Sequence, residues 1–457
     1  MDECLETVLP QEILDSKERR VMRQKKMLAL GNCVISFTLN IAGAIKISPL
    51  ILKCFNEGLK QIECELKYRR ITVQHQEQWI DKTGCEAMFS VKYDALKIKQ
   101  IMVIIEESSK LGRLFDIDVL SEEGYPITRS ELGLNSRQCL VCGFPAHQCV
   151  RGRRHDIEII MKESKRIMRD YFLEKQADYV ASTACRSLLY EVCVTPKPGL
   201  VDRNNSGAHK DMDIFTFMDS VSVLTPYFKK LFLMGNELKD TEPAQLLFRL
   251  RHIGILAEDD MLAITNQVNT HKGLIFSLGI LCAALGWSEA NQRDTDAASL
   301  LSLCGEIASA SIEEDLISKT SKTAMTGGER LFLKTGNAGA RGEAAAGFPV
   351  VLNYALPTLR RLIAEGKSMN DAGVYTLLVL ISKVTDTNII TRCGLSVHQR
   401  VQQSIQELIS DFPNLDIVKE YDLRFIEQNI SPGGCADLLV ITFMLYFLET
   451  NNYCVCK

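Results

Sequence analysis

The spacing of apolar and polar positions changes about a third of the way along the chain. Up to about residue 165, alternating runs trade places with runs of helical spacing. Residues 34–40 (VISFTLN), 71–76, 87–93 and 113–120 (RLFDIDVL) are rich in β-branched and aromatic side chains and predict strands. Residues 49–66 and 94–107 carry apolar side chains every third or fourth position and predict helices. Together they predict an α/β or α+β domain. From about residue 170 the pattern is almost all helical. Ala177, Val180, Ala181, Ala184, Leu188, Leu189 and Val192 form one apolar face. Similar stripes recur at 214–234, 243–257, 273–286, 296–313, 343–364, 370–385, 397–410 and 435–449, which predicts an all-α domain of roughly ten helices. No Gly/Ser linker separates the two halves. Residues 157–175 read as one charged helix, and the division is expected at 1–168 and 169–457.

Composition narrows the class. The 457 residues are 46% hydrophobic and 24% charged, with mean hydropathy +0.01, as in a soluble globular protein. A formal net charge of −4 gives no general attraction to nucleic acid or an anionic membrane. The start, MDECLETVLP, lacks a basic segment followed by an apolar one, so no signal peptide is expected. The longest apolar run, 438–448, reads as too short to cross a bilayer. Sixteen cysteines then point to reduced thiols or metal ligands in a cytoplasmic protein, not to a disulfide framework.

Two motifs carry chemistry in the first half. In the strand 113–120, Asp116 and Asp118 are two apart and project to one face, within reach of one or two divalent ions. A solvated edge strand would also alternate in this way. Arg113 opens the same segment. Asn40 and Lys46 flank the Gly43 turn after the first strand, where a phosphate can meet backbone amides and an ammonium. Further on, Cys139 and Cys142 have the spacing of a zinc knuckle, and Cys149 with His155 completes a candidate tetrahedral Zn²⁺ site. His147 competes for the fourth position, and free thiols in a turn are the alternative.

The second half places polar, Gly-rich junctions between its helices. The richest is 195–213, TPKPGLVDRNNSGAHKDMD. Lys197 and Arg203 suit phosphate oxygens, while Asp202, Asp211 and Asp213 suit a hard cation such as Mg²⁺. Residues 269–273 (NTHKG) open a helix with His271 and Lys272 at its start, an anion-binding arrangement. Residues 325–330 (MTGGER) and 339–344 (GARGEA, with Arg341 and Glu343) follow. Asp386 and Asn388 lie at a helix end, and 431–437 (SPGGCAD) opens the last helix with Asp437. Each is weak alone; together they suggest a site built from helix ends for a ligand with several phosphates.

These motifs, in this order over about 176–450, resemble the triphosphoribosyl-dephospho-coenzyme A synthase family. SFTLNIAGAIK, GRLFDIDV and RQCLVCGFPAHQCVRGRRH, within about 5–165, resemble the apo-citrate lyase phosphoribosyl-dephospho-coenzyme A transferase family. The resemblance implies a nucleotidyltransferase-like first domain and an all-α second one, in a fused bifunctional transferase. The second domain would join ATP to 3′-dephospho-coenzyme A and release adenine. The first would transfer the phosphoribosyl-dephospho-coenzyme A unit to a serine of the apo acyl-carrier (gamma) subunit of citrate lyase and release pyrophosphate. On this reading Asp202, Asp211, Asp213 and Glu343 are candidates for Mg²⁺ and for the base. Lys197, Arg203, Lys272 and Arg341 take the triphosphate, with His271, Asp386, Asn388 and Asp437 also against the substrates. His209 protonates the leaving adenine, and Asp116 and Asp118 hold Mg²⁺ on the departing pyrophosphate. A rival reading is a Mg²⁺-dependent hydrolase of ribosyl bonds fused to a zinc-stabilised docking module for the carrier.

Overall fold

A computed structural model describes residues 6–31, 33–312, 339–410 and 412–450. The chain divides into two compact units, Met1–Leu173 and Glu174–Lys457.

The first unit is built on a four-stranded sheet: β1 (Cys33–Leu39), β2 (Val73–Asp81), β3 (Gly84–Val91) and β4 (Phe115–Leu120), in the order β2-β3-β1-β4. Every neighbouring pair is antiparallel. This is an α+β arrangement; the parallel α/β alternative does not apply. One face, with Ile35, Phe37, Phe89, Phe115 and Ile117, packs on α2 (Pro49–Tyr68) and α3 (Ala95–Glu107). Ser48 caps α2 by accepting from the Ile51 amide, and Asp94 caps α3 by accepting from that of Lys97. The opposite face is polar at Ser36, Thr38, Glu86, Asp116 and Asp118. The α1 helix (Pro10–Leu28) packs on β1 and β3, where its Met27 joins Val34, Met88 and Leu120 in a small second core. This helix is too polar to stand out by apolar spacing, and the sequence reading did not place it.

The second unit is helical among its described residues. After the short helix α4 (Ala146–Arg151), the helix α5 (Ile157–Cys193) is continuous across the division at 173/174. After it come α6 (Ile214–Glu237), α7 (Pro243–Ile264), α8 (Lys272–Ala290) and α9 (Ala297–Ile312). The stripe read as one helix over 343–364 is three pieces: Gly339–Ala345, a π turn at Val351–Ala355 and Leu356–Ala364. Gly347 and Phe348, both at positive φ, separate the first two. Helices follow at Met369–Lys383, Thr387–Cys393, Leu395–Leu408, Leu415–Glu427 and Gly433–Thr450. The MTGGER motif lies outside the described residues.

One expectation is corrected here. By length and composition, α8 and Gly433–Thr450 are each apolar enough to cross a membrane. In the fold, 78% and 61% of these apolar stretches are buried. A helix apolar on all sides, such as α8, is what a surrounded core helix requires.

Candidate functional site

In the first unit, strand register gathers the acids. Thr38 of β1 stands opposite Glu86 on β3 and Asp116 on β4, and Ser36 stands opposite Asp118. Sequence reading found the two aspartates and missed Glu86, whose only local signal is its place in the alternation of GCEAMFSV. Arg20 and Arg23 of α1 bind one Glu86 oxygen at 3.2 and 3.4 Å, and the other oxygen is buried without a partner among the described residues. The protein around Asp118 and the charge of Asp116 push the Asp118 carboxyl above its ordinary range. Its tip reaches solvent, which moderates both effects. Such a pair is relieved by a cation. Beside it, Ser16, Arg20, Thr38, Lys46, Thr83 and Glu86 line a polar pocket. Burial pushes the Lys46 ammonium down, and it donates to the Ile41 carbonyl. Asn40 is exposed, and its backbone N–H donates to Leu114 O at 2.8 Å. Arg113 is not placed as a phosphate ligand. Its guanidinium donates to the carbonyls of Gln138 and Cys139, both at 2.9 Å.

Those carbonyls begin the cysteine segment. Cys139, Cys142, Cys149 and His155 converge, with their ligand atoms all within 4.8 Å of one another. Cys142 Sγ lies 3.4 Å from Cys149 Sγ and 3.1 Å from His155 Nε2. His147 is outside the group. This donor set can hold a metal ion.

In the second unit the loop 195–213 is ordered by its own polar groups. Asp202 accepts from the backbone amides of Lys197, Asn204 and Asn205 at 3.0, 2.6 and 3.1 Å. Its oxygens build the turn, so it is not placed as the base. Asp422, far away in sequence, accepts from Gly199 N at 2.9 Å and from Asn205 Nδ2 at 2.8 Å. Gly199, at φ +71°, passes so close to Ile430 that a Cβ would lie 2.0 Å from its carbonyl oxygen. Arg203 donates to Thr195 Oγ1 and Asn370 Oδ1, which locks the loop and spends much of its fork. Asp213 is the N-cap of α6, accepting from Thr216 N at 2.9 Å, and Asp211 is exposed. Neither belongs to a buried ion site. His209 bonds Ser431 Oγ at 2.9 Å. Burial and Arg392 push its imidazole down, so it is neutral near pH 7 and is poorly placed to protonate adenine. Lys272 pairs with Glu258 at the surface, not with the buried groups.

The chemistry collects deeper. Burial pushes the half-buried Asp437 carboxyl well up, and the charges of Glu191 and Asp386 add to the effect. Glu191, from α5, is itself raised by burial while paired with buried Lys197. Asp386 caps the helix Thr387–Cys393, accepts from Cys435 N at 3.0 Å and is raised by burial. Burial also raises Glu343, one of whose oxygens is buried without a partner among the described residues. The Cys435 thiol feels Asp386, Glu343 and Asp437 together. Lys197 also faces His271. His271 Nδ1 bonds Ser220 Oγ at 2.7 Å, and its Nε2 is buried without a partner among the described residues. Burial first, then Lys197, pushes this imidazole down to about 3. Asn388 sits against Gly433, where a Cβ would come within 2.7 Å of its Nδ2. Arg341 lies 5.9 Å from the Phe276 ring. Sequence reading named Lys197, His271, Glu343, Asp386 and Asp437, quoted Cys435 only as part of SPGGCAD, and missed Glu191 and Ser220. Glu191 is an acid at the end of an amphipathic helix, and no local pattern marks it.

Comparison with known proteins places both units. Residues 177–454 match the family model CitG, ATP:dephospho-CoA triphosphoribosyl transferase, and 9–171 match CitX, apo-citrate lyase phosphoribosyl-dephospho-CoA transferase. Protein CitXG of Leuconostoc mesenteroides subsp. cremoris is 34% identical over 95% of this chain and 96% of its own. Protein CitXG of Haemophilus influenzae is 32% identical over 95% and 94%. The 2-(5′′-triphosphoribosyl)-3′-dephosphocoenzyme-A synthase of Pectobacterium atrosepticum is 42% identical over 58% of this chain and 87% of its own. With full-length relatives at this identity and both family segments in one polypeptide, the chain belongs to the CitXG family of transferases.

Proposed function

We propose that this chain makes and attaches the prosthetic group of citrate lyase, in two reactions assigned to its two units. In the second, ATP and 3′-dephospho-coenzyme A give 2′-(5″-triphosphoribosyl)-3′-dephospho-coenzyme A and adenine. A ribose 2′-hydroxyl of dephospho-coenzyme A attacks C1 of the ATP ribose, and the bond to adenine breaks. The observation that carries this reading is the convergence of Glu191, Glu343, Asp386 and Asp437, from four separate elements, around one partly buried place beside Lys197 and His271.

Each group suits a role. Glu343, raised and unsatisfied at one oxygen, takes the proton of the attacking hydroxyl. Carboxylates that resist ionising together fit a resident cation, and Asp437 with Glu191 would hold Mg²⁺. A bound Mg²⁺ neutralises triphosphate charge. Thr270 donates to Ser220 Oγ at 2.9 Å. When the Ser220 hydroxyl donates its hydrogen bond to Nδ1, the neutral His271 carries its hydrogen on Nε2 and donates to a substrate oxygen or to the departing purine. Lys197 adds a fixed positive charge. Asp202, Asp422, Arg203 and Asn370 shape the loop that presents it.

In the first unit, a serine hydroxyl of the apo acyl-carrier subunit attacks the phosphorus nearest the ribose, and pyrophosphate leaves. Asp116 and Asp118 would hold Mg²⁺ on that pyrophosphate, and Arg20 and Lys46 line the adjoining pocket. An antiparallel sheet with two acids on an edge strand is compatible with a nucleotidyltransferase-like domain. The chain works in the cytoplasm, where ATP, dephospho-coenzyme A and the carrier are available and thiols stay reduced.

Incubation of the purified chain with ATP, Mg²⁺ and 3′-dephospho-coenzyme A tests the second-unit reaction. Adenine that appears only with dephospho-coenzyme A, together with the triphosphoribosyl adduct, is the expected result. Release of ribose 5-triphosphate from ATP alone would favour the hydrolase instead.

A further inference from the structure

The segment between Leu120 and Ile157 has little to hold it together by burial. Among its residues only Cys139 and Cys149 are buried, although Ile127 and Leu140 pack on the main core. Its regular structure is one turn of 3₁₀ helix, Ser130–Leu132, and one short helix, Ala146–Arg151. A stretch so poor in apolar contacts needs a cross-link.

We infer that Cys139, Cys142, Cys149 and His155 bind one structural Zn²⁺ that closes this segment. The geometry fits a tetrahedral Cys₃His site. Zinc–sulfur bonds of about 2.3 Å set ligand atoms roughly 3.8 Å apart, and these four atoms all lie within 4.8 Å. The first pair forms a knuckle. Gly143 follows it at φ +71°, and the Val141 amide points at Cys139 Sγ from 3.5 Å. The Cys139 amide closes the turn on Phe144 O at 2.6 Å. Binding releases the thiol protons to solvent and leaves three thiolates and a neutral imidazole on the metal.

The site is also tied to the acid strand. Arg113, which precedes β4, holds the carbonyls of Gln138 and Cys139. Arg137, two residues before Cys139, pairs with buried Glu106 and lies 3.9 Å from Asp116. Glu106 in turn accepts from the Ile117 amide at 3.1 Å. The ion therefore fixes the loop that sets a guanidinium beside Asp116. Arg137 is a positioning residue in this account.

The test is the metal content of the full chain, purified without chelator or histidine tag and measured by mass spectrometry of the elements. About one zinc per chain is expected. Cys142→Ser and His155→Ala should each lose most of it, whereas Asp116→Asn keeps it. Limited proteolysis supplies a second readout on the natural chain. Stripping zinc with a strong chelator should open cleavage within 121–156 and expose three more reactive thiols, and adding Zn²⁺ should reverse both. A chain that takes up no zinc from a zinc-buffered solution overturns the inference. So does a Cys142–Cys149 disulfide found by peptide mapping of the purified, unreduced chain, or zinc retained in both ligand variants. None of these outcomes depends on the transfer reaction assigned to this unit.

Discussion

The two units arrange acidic groups in opposite ways. In the first, a flat antiparallel register sets Glu86, Thr38 and Asp116 side by side, with Asp118 one row away. In the second, the acids come from α5, from helix ends and from the start of the last helix, and meet in the interior. A strand displays its chemistry by period two, so two neighbours in sequence make a site. A bundle collects single residues from distant segments, and each is costly to bury until a partner or ligand arrives. The first unit keeps Asp116 and Asp118 near solvent, with Glu86 buried beside them. The second buries Glu191 and Asp386 and half-buries Glu343 and Asp437, which strengthens their interactions with a charged substrate.

The sharpest way to separate the two is to disable one at a time. Asp116→Asn should slow transfer to the carrier by roughly a thousandfold, because it removes charge on the side where pyrophosphate departs. Adenine release by the same protein should be unchanged, and equal loss of both activities would sink the division of labour. Asp437→Asn is the converse. Adenine release should drop by about a hundredfold, with weaker dependence on Mg²⁺. Purified triphosphoribosyl intermediate should still be transferred normally.

A third variant separates chemistry from architecture. Asp202→Ala leaves three backbone amides without their acceptor and should destabilise the second unit by roughly 3 kcal/mol. The measurement is thermal unfolding followed by a probe in that unit. A full-length variant with normal stability and no adenine release would return Asp202 to the reacting groups.

Acid sensitivity comes next. An exposed imidazole in the unfolded chain titrates near 6.5, while in the fold His271 is held at about 3. Between those values the unfolded chain binds more protons, so this contribution to stability is present above 6.5 and lost as pH falls. The raised carboxyls Glu191, Asp386 and Asp437 act with the opposite sign, losing stability as pH rises. His271→Gln should therefore lower the unfolding temperature less between pH 7 and pH 5 than the natural chain does. An identical slope would mean that His271 is not neutral and buried in the folded protein. The smallest effect belongs to Asp213→Ala. Loss of the α6 cap should cost about 1 kcal/mol, with the Michaelis constant for ATP unchanged. A large rise in that constant would restore Asp213 to the cation site.

Some of the site was legible because it is local. Asp116 and Asp118 share one strand face by parity, and three cysteines with His155 lie within a short stretch. His271 stands where the NTHKG junction opens α8, and Asp437 sits just inside the last helix. The rest was not legible for a physical reason. Asp202, Asp211 and Asp213 look like ion ligands because a Gly- and Asp-rich loop attracts that reading. An aspartate next to its own backbone amides, however, folds a turn or caps a helix at lower cost than it binds a cation. Arg113 and Arg203 likewise look like phosphate ligands, yet their forks are taken by carbonyls and by Thr195 and Asn370.

By itself, the sequence determined the change from sheet to helices, most of the elements and the cysteine motif, because each is written in spacing between near neighbours, and its longer motifs carried the resemblance to the two families. Tertiary structure alone decided which acids come together, with Glu191 joining those of the second unit and Glu86 those of the first, and how far α8 and the last helix are enclosed by other helices. Those outcomes depend on contacts between residues far apart in the chain. The energy of a buried charge or an apolar helix is set by what surrounds it, and no local spacing records that.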